Sequence, residues 1–284
     1  PQPGKRRTVG KAYTVGGFEW SPDGKKIAFS ATVDPDLVNG GTSDIYVLDL
    51  ANDAVKKIVD QPGPDSSPLW SPDGGSILFS SALGRPDYYA RNSVLAVVAA
   101  AGGEVKPLTR AFDENPYAVA WNADGIYFSA MQKTAGHLFR LDPATLAIER
   151  VSGPDEAMVS GFTFSADGRR VTFQSSTATA LPEICVSEWP WKPRPLTRMT
   201  DQVAGFVLGT RELIAWKSKD GTTIEGVLIK PADFDPVRKY ALLCVIHGGP
   251  TGVDRPALLS GDSRYYPSDI WAARGALVLK VNYR

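Results

Sequence analysis

One pattern constrains this chain more than any other. Four times an apolar or aromatic stretch runs into a polar turn ending Asp-Gly and then into an alternating apolar strand. The copies begin Phe18-Glu19-Trp20-Ser21-Pro22-Asp23-Gly24, Leu69-Trp70-Ser71-Pro72-Asp73-Gly74, Ala120-Trp121-Asn122-Ala123-Asp124-Gly125 and Phe162-Thr163-Phe164-Ser165-Ala166-Asp167-Gly168. Their turn aspartates are 50, 51 and 43 residues apart, the length of one four-stranded propeller blade. The turn has a mechanism: Ser suits position i of a type I turn, Pro presets φ at i+1, and Gly accepts the left-handed conformation that closes a hairpin. A third strand follows each hairpin, at Asp44–Asp49, Ser93–Val98, His137–Asp142 and Glu183–Ser187. Short outer strands close the blades at Val105–Thr109 and Arg194–Thr197, where Pro107 and Pro195 are tolerated because an outer strand is an edge. The competing reading is a β-sandwich with chance periodicity. The spacing predicts about four propeller blades over residues 1–200.

Composition narrows the function classes. Basic and acidic residues balance at 31 each, which excludes a nucleic-acid or membrane-surface partner held by bulk charge. The 27 glycines and 22 prolines suit many tight turns, and the aromatic content is too high for a disordered chain. Cys185 and Cys244 each sit in an apolar run and read as buried free thiols in a reducing, cytoplasmic setting. No stretch reaches the ~18 apolar residues of a membrane span, and the basic start, Lys5-Arg6-Arg7, has no apolar segment behind it. No His/Cys/Asp cluster has metal-ligand spacing, so neither a metal nor a cofactor is expected. The loop Asp34–Gly41 lacks the terminal Glu of a calcium loop and reads as a surface insertion. His137, alone on a propeller strand, reads as structural.

The period breaks after Thr200. Residues 201–212 read as a linker and 213–284 as a second domain. Leu213–Ser218 and Thr223–Ile229 form a hairpin around Lys219-Asp220-Gly221. Ala241–Ile246 is a continuous apolar run, predicted to be a strand buried on both faces. A short helix, Ile270–Arg274, is expected behind a Ser268 or Asp269 cap, followed by a second buried strand, Ala276–Val281. Strand, loop, helix, strand is how an α/β domain begins. Straight after the first of these strands stands His247-Gly248-Gly249-Pro250. In α/β-hydrolases the loop at this place donates a backbone N–H to the oxyanion hole, and one such donor is worth roughly 2.7–4 kcal/mol. The tandem glycines let the main chain approach a substrate carbonyl. The fold class is therefore mainly β: a β-propeller followed by the start of an α/β-hydrolase domain.

Taken together, the Trp-Ser-Pro-Asp-Gly blades, Lys219-Asp220-Gly221 with Ile224-Glu225-Gly226, His247–Pro250 and Ala272–Arg284 resemble the prolyl oligopeptidase family of serine peptidases, most closely its acylaminoacyl-peptidase and dipeptidyl-peptidase branch. The resemblance implies a seven-bladed propeller capping a hydrolase domain, with short peptides as substrates. It implies Gly249 as the oxyanion donor, His247 as a residue that positions the loop, and Asn282-Tyr283-Arg284 as a strand end on the substrate side. It also implies that propeller loops hold charged peptide termini, for which Arg85 and Arg91 are the candidates. Two departures follow. No Gly-x-Ser-x-Gly occurs and the two histidines, His137 and His247, cannot serve as a triad base; and only four blades are visible where the family count is seven. The Ser-Asp-His triad is thus expected outside this chain, which alone is expected to be inactive. The expected partners are short peptides and the remaining, nucleophile-bearing part of the same enzyme, with a homo-oligomer left open. The alternative is a non-enzymatic propeller scaffold that binds proteins.

Overall fold

The computed structural model describes residues 13–33, 41–153, 157–249, 252–259 and 267–283. Five four-stranded sheets occur among them. Four are antiparallel meanders in sequence order, one per repeat. The first comprises β1 (Thr14–Trp20), β2 (Lys26–Thr32), β3 (Asp44–Asp49) and β4 (Val55–Val59). The second has β5 (Asp65–Trp70), β6 (Ser76–Ser81), β7 (Val94–Ala99) and β8 (Lys106–Pro107). The third has β9 (Tyr117–Asn122), β10 (Gly125–Gln132), β11 (Ala135–Leu141) and β12 (Ile148–Arg150), and the fourth β13 (Met158–Phe164), β14 (Arg170–Ser176), β15 (Glu183–Glu188) and β16 (Arg194–Pro195). These are propeller blades, as the repeat predicts. The Asp34–Gly41 loop lies almost wholly outside the described residues.

The repeated turn works as its residues suggest, with one addition. Gly24, Gly74 and Gly168 have φ of 67°, 70° and 70°, and each closes the turn by donating its N–H to the serine carbonyl, at 2.8, 2.9 and 2.8 Å. The serine hydroxyl also donates to the turn aspartate, at 2.7 Å in Ser21–Asp23 and 2.6 Å in Ser71–Asp73 and Ser165–Asp167. It then accepts the N–H that starts the next strand, from Lys26, Ser76 and Arg170. These bonds hold all three aspartates below the ordinary carboxylate range. In the third copy Asn122 replaces serine and accepts the Asp124 N–H at 2.9 Å.

The chain divides into two compact units. The first holds the described residues up to Ala130 together with Leu138–Val151; the second holds Met131–His137 and those from Ser152 onward. In the first unit, Ile45, Ile77 and Phe79 pack with Trp70 in one core. Burying each such side chain contributes roughly 1.5–3 kcal/mol before entropy is counted. Trp70 is 5% exposed because the second blade lies on the first: its N–H donates to Glu19 Oε2 at 2.6 Å and its indole N–H to the Glu19 carbonyl at 3.2 Å. Trp20, at the same place in the preceding copy, is 50% exposed. A second core joins Phe128, stacked on Phe139 at 5.3 Å, with Phe112 edge-on at 5.1 Å.

In the second unit the fourth blade leads into a 3₁₀ turn, Met199–Val203, and then a mixed sheet. Its strands are β17 (Thr210–Lys217), β18 (Thr223–Lys230), β19 (Leu242–Ile246) and β20 (Leu277–Asn282), with helix α1 (Ser268–Ala273) between the last two. The spatial order is β17-β18-β20-β19. β17 and β18 are antiparallel, as are β18 and β20, whereas β19 and β20 run parallel. β17 starts at Thr210, three residues before the expected hairpin.

Three expectations need correction. β19 is not buried on both faces: Val245 is 5% exposed but Ile246 is 66% and Leu242 57% exposed. β19 stands at the edge of the sheet with β20 as its one neighbour among the described residues, and little of the described chain packs on its faces. For the same reason Cys244 is exposed, although Cys185 is buried as expected. Finally, α1 begins at Ser268 without a side-chain cap. Asp269 instead accepts a charged bond from Arg211 of β17, whose guanidinium side chain is almost fully buried.

Candidate active-site loop

The glycine motif leaves the C-terminal end of β19, the third strand of the mixed sheet in chain order. A parallel strand points its carboxyl end, and the loop after it, toward the crevice where ligands bind in open α/β sheets. Gly248 and Gly249 are both exposed. Gly249 has φ of 70°, a conformation that side chains with a Cβ rarely adopt, and a side chain at either glycine would meet nothing within 4 Å. Gly249 also accepts the Gly252 N–H at 3.2 Å. A Cβ at Gly252 would sit 3.0 Å from both the Gly248 carbonyl and His247 Nδ1, a close approach in which these neighbours would have to give by a few tenths of an ångström. Pro250 lies outside the described residues, as does Arg284.

His247 is held by its neighbour across the sheet. Its ring stacks on Tyr283 at 4.6 Å with a 20° interplanar angle, and the Tyr283 hydroxyl donates to the His247 carbonyl at 2.6 Å. His247 Nδ1 lies 3.2 Å from the Gly248 carbonyl, while Nε2 is buried without a hydrogen-bond partner among the described residues. No carboxylate among the described residues bonds to either ring nitrogen.

Farther along, Asp254 donates its N–H to Asn282 Oδ1 at 2.7 Å, and Asn282 Nδ2 returns a bond to the Asp254 carbonyl at 3.0 Å. Lys280, 2% exposed, places Nζ 3.3 Å from Asp254 Oδ1. Sequence reasoning missed Lys280 and Asp254. The available signal was a lysine inside the apolar run Ala276–Val281, since a cation buried in a strand needs a partner.

Arg85 and Arg91 belong to the first unit, on the connection from β6 to β7. Tyr88 anchors that connection, its ring packing where Gly41 and Gly63 leave room. Arg91 donates through Nε to Asp87 Oδ2 at 2.5 Å, which holds the Asp87 carboxyl below its ordinary range. Arg85 is exposed and has no ion-pair partner among the described residues. The two arginines are thus unequal: Arg91 is bonded to Asp87, while Arg85 acts on that carboxylate only through its nearby charge. His137 is buried on β11, with Nδ1 3.4 Å from Ser152 Oγ.

No group of three potential metal-ligating residues occurs among the described residues, and no helix among them is long and apolar enough to cross a membrane. A family model described as the TolB beta propeller domain matches residues 2–184. The chain belongs to the TolB β-propeller domain family. This TolB-type chain is 28% identical over 294 residues to dipeptidyl-peptidase 5 of Arthroderma otae, a match covering 94% of the chain and 38% of the relative. It is 27% identical over 292 residues to dipeptidyl-peptidase 5 of Trichophyton schoenleinii, with the same coverage of 94% and 38%. The chain therefore spans under two fifths of the length of these curated relatives. Among solved structures it resembles the acylaminoacyl peptidase of Pyrococcus horikoshii, with a TM-score of 0.73 at 20% identity over 96% of this chain and 40% of that one. A puromycin hydrolase gives a TM-score of 0.70 at 22% identity over 95% and 41%. At those identities the structural likeness speaks for the fold. The named relatives bear out the resemblance to prolyl oligopeptidase-type peptidases, for a chain spanning part of their length.

Proposed function

We propose that this chain is the propeller and the first strands of the hydrolase domain of a serine peptidase acting on short peptides. In this reading residues 1–200 are gating blades, 201–212 the linker and 213–284 the start of an α/β-hydrolase fold. The observation that carries it is the exposed Gly248–Gly249 turn at the carboxyl end of β19 in a sheet whose β19 and β20 run parallel. That is where an oxyanion hole receives its N–H from the loop after the third strand. Gly249 supplies the donor to the tetrahedral intermediate, Gly248 lets the main chain come close, and His247 positions the turn. Serine attack forms an acyl-enzyme that water then cleaves. The Ser, Asp and His of the triad come from polypeptide outside this chain, and the uncovered apolar residues of β19 are the surface that polypeptide packs on. Arg85, rather than Arg91, is the side chain that meets a peptide carboxylate.

A fluorophosphonate probe tests the reading. The expected outcome is no labelling of this 284-residue chain and stoichiometric labelling of the full-length protein. Labelling of this chain alone, or none of the full-length protein, sinks it.

A further inference from the structure

We propose that Lys280, Asn282 and Tyr283 are positioning residues: together they clamp both ends of the glycine loop, so that β20 sets the direction of its amides. The catalytic half of this inference rests on the oxyanion reading above; the structural half rests on geometry alone.

At Gly248, Gly249 and Gly252 the residue itself does little to fix the backbone, because glycine leaves it the widest choice of conformations. A donor aimed at a developing oxyanion must nevertheless be fixed before the charge appears. The end of β20 holds the described residues on either side of these glycines at two points. Upstream, Tyr283 holds His247 twice, through its hydroxyl at 2.6 Å and through the stacked ring at 4.6 Å. Downstream, Asn282 exchanges two bonds with the Asp254 backbone, at 2.7 and 3.0 Å, as a neighbouring strand would. Lys280 and Asn282 are two residues apart, hence on one face of β20, and both reach Asp254.

The buried charge supports the same conclusion. A lysine side chain 2% exposed, between Leu279 and Val281, is a poor choice for stability alone, since apolar replacements of buried pairs are often neutral. What the Lys280–Asp254 pair adds is a defined place for Asp254, and hence for the loop's return. Asp254 Oδ2 is buried with no hydrogen-bond partner among the described residues, so Lys280 is the charged partner seen for this carboxylate.

The test uses the full-length protein with Asn282→Ala, Tyr283→Phe and Lys280→Met. The amides of Gly252 and Asp254, both hydrogen-bonded now, are followed by NMR hydrogen exchange. The clamp predicts at least ~10-fold faster exchange at these two amides in Asn282→Ala, with β18 amides unchanged. It predicts a kcat lower by roughly 10- to 100-fold on a peptide substrate with KM within about threefold. Tyr283→Phe keeps the ring and loses the hydroxyl, so its kcat effect should be the smaller. Unchanged exchange in both Asn282→Ala and Tyr283→Phe overturns the clamp, as does a loss carried by KM. If Lys280→Met does not fold, the other two variants still decide. A wild-type protein that cleaves no peptide would refute the peptidase reading, while the exchange measurement would still judge the clamp.

Discussion

Replacing Asp65 by Asn should stabilise this protein at neutral pH and do nothing in acid. Asp65 opens β5 and its side chain is fully buried in the first unit. Oδ1 accepts from Gln61 Nε2 at 2.9 Å, while Oδ2 is buried with no hydrogen-bond partner among the described residues. Burial pushes its pKa up to about 6 from the ordinary 3.8, helped by the nearby Asp44 carboxylate and opposed by bonds from Ser81 and Gln61. Lys57 does not relieve it, because its ammonium is engaged with Asp44 at 2.8 Å and Asp60 at 3.2 Å. A carboxyl whose pKa is raised by folding binds its proton more tightly in the native state. Stability therefore falls as pH rises from about 4 to about 6 and is level above that. At ~1.4 kcal/mol per pH unit, the gap amounts to roughly 3 kcal/mol at most. Asp65→Asn keeps the shape and removes the charge. It should raise Tm by about 4–10 °C at pH 7.5, taking ~2–4 °C per kcal/mol for a chain of this size. At pH 4 the shift should vanish. Thermal melts of both proteins at the two pH values make the comparison. Equal shifts at both, or a variant less stable at pH 7.5, would refute the reasoning.

Two further outcomes follow from the same physics. Glu183 has the opposite sign: bonds from the Thr197 hydroxyl, then the Met199 and Thr200 amides, hold its carboxyl down to about 2. What it contributes is present above about 4.5 and lost as pH falls toward 2. Amide exchange at Met199 and Thr200 should accelerate over that range in wild type and be already fast, and level, in Glu183→Gln; a wild-type profile flat with pH would contradict this. Phe128→Ala empties a site that is fully buried between Phe112 and Phe139, and should cost about 3–5 kcal/mol in urea denaturation; a loss under 1 kcal/mol would show that the core collapses to fill it.

What could be read in the amino-acid order was what depends on neighbours in sequence. Ser71-Pro72-Asp73-Gly74 declares its turn because every group that satisfies it lies within five residues. Arg91 was offered as an equal of Arg85, and the difference between them came from an acid four residues away, Asp87, whose reach depends on the 3₁₀ turn Tyr88–Ala90. Similarly, Asp269 looked like a cap until Arg211, 58 residues earlier, took its carboxylate. The bonds that shape the glycine loop span 28 and 36 residues, and no local pattern encodes them.

β19 shows the limit most clearly, and it also carries the argument furthest. Burial belongs to a strand's surroundings, while an apolar run belongs to the strand. Ala241–Ile246 has the composition of a strand covered on both faces, yet in this chain β20 is its neighbour and Ile246, Leu242 and Leu243 stand in the open. Proteins seldom leave large contiguous apolar surfaces uncovered without a partner for them. The mismatch between what β19 is made of and what touches it therefore marks Leu242, Leu243 and Ile246 as an apolar patch open to a covering partner.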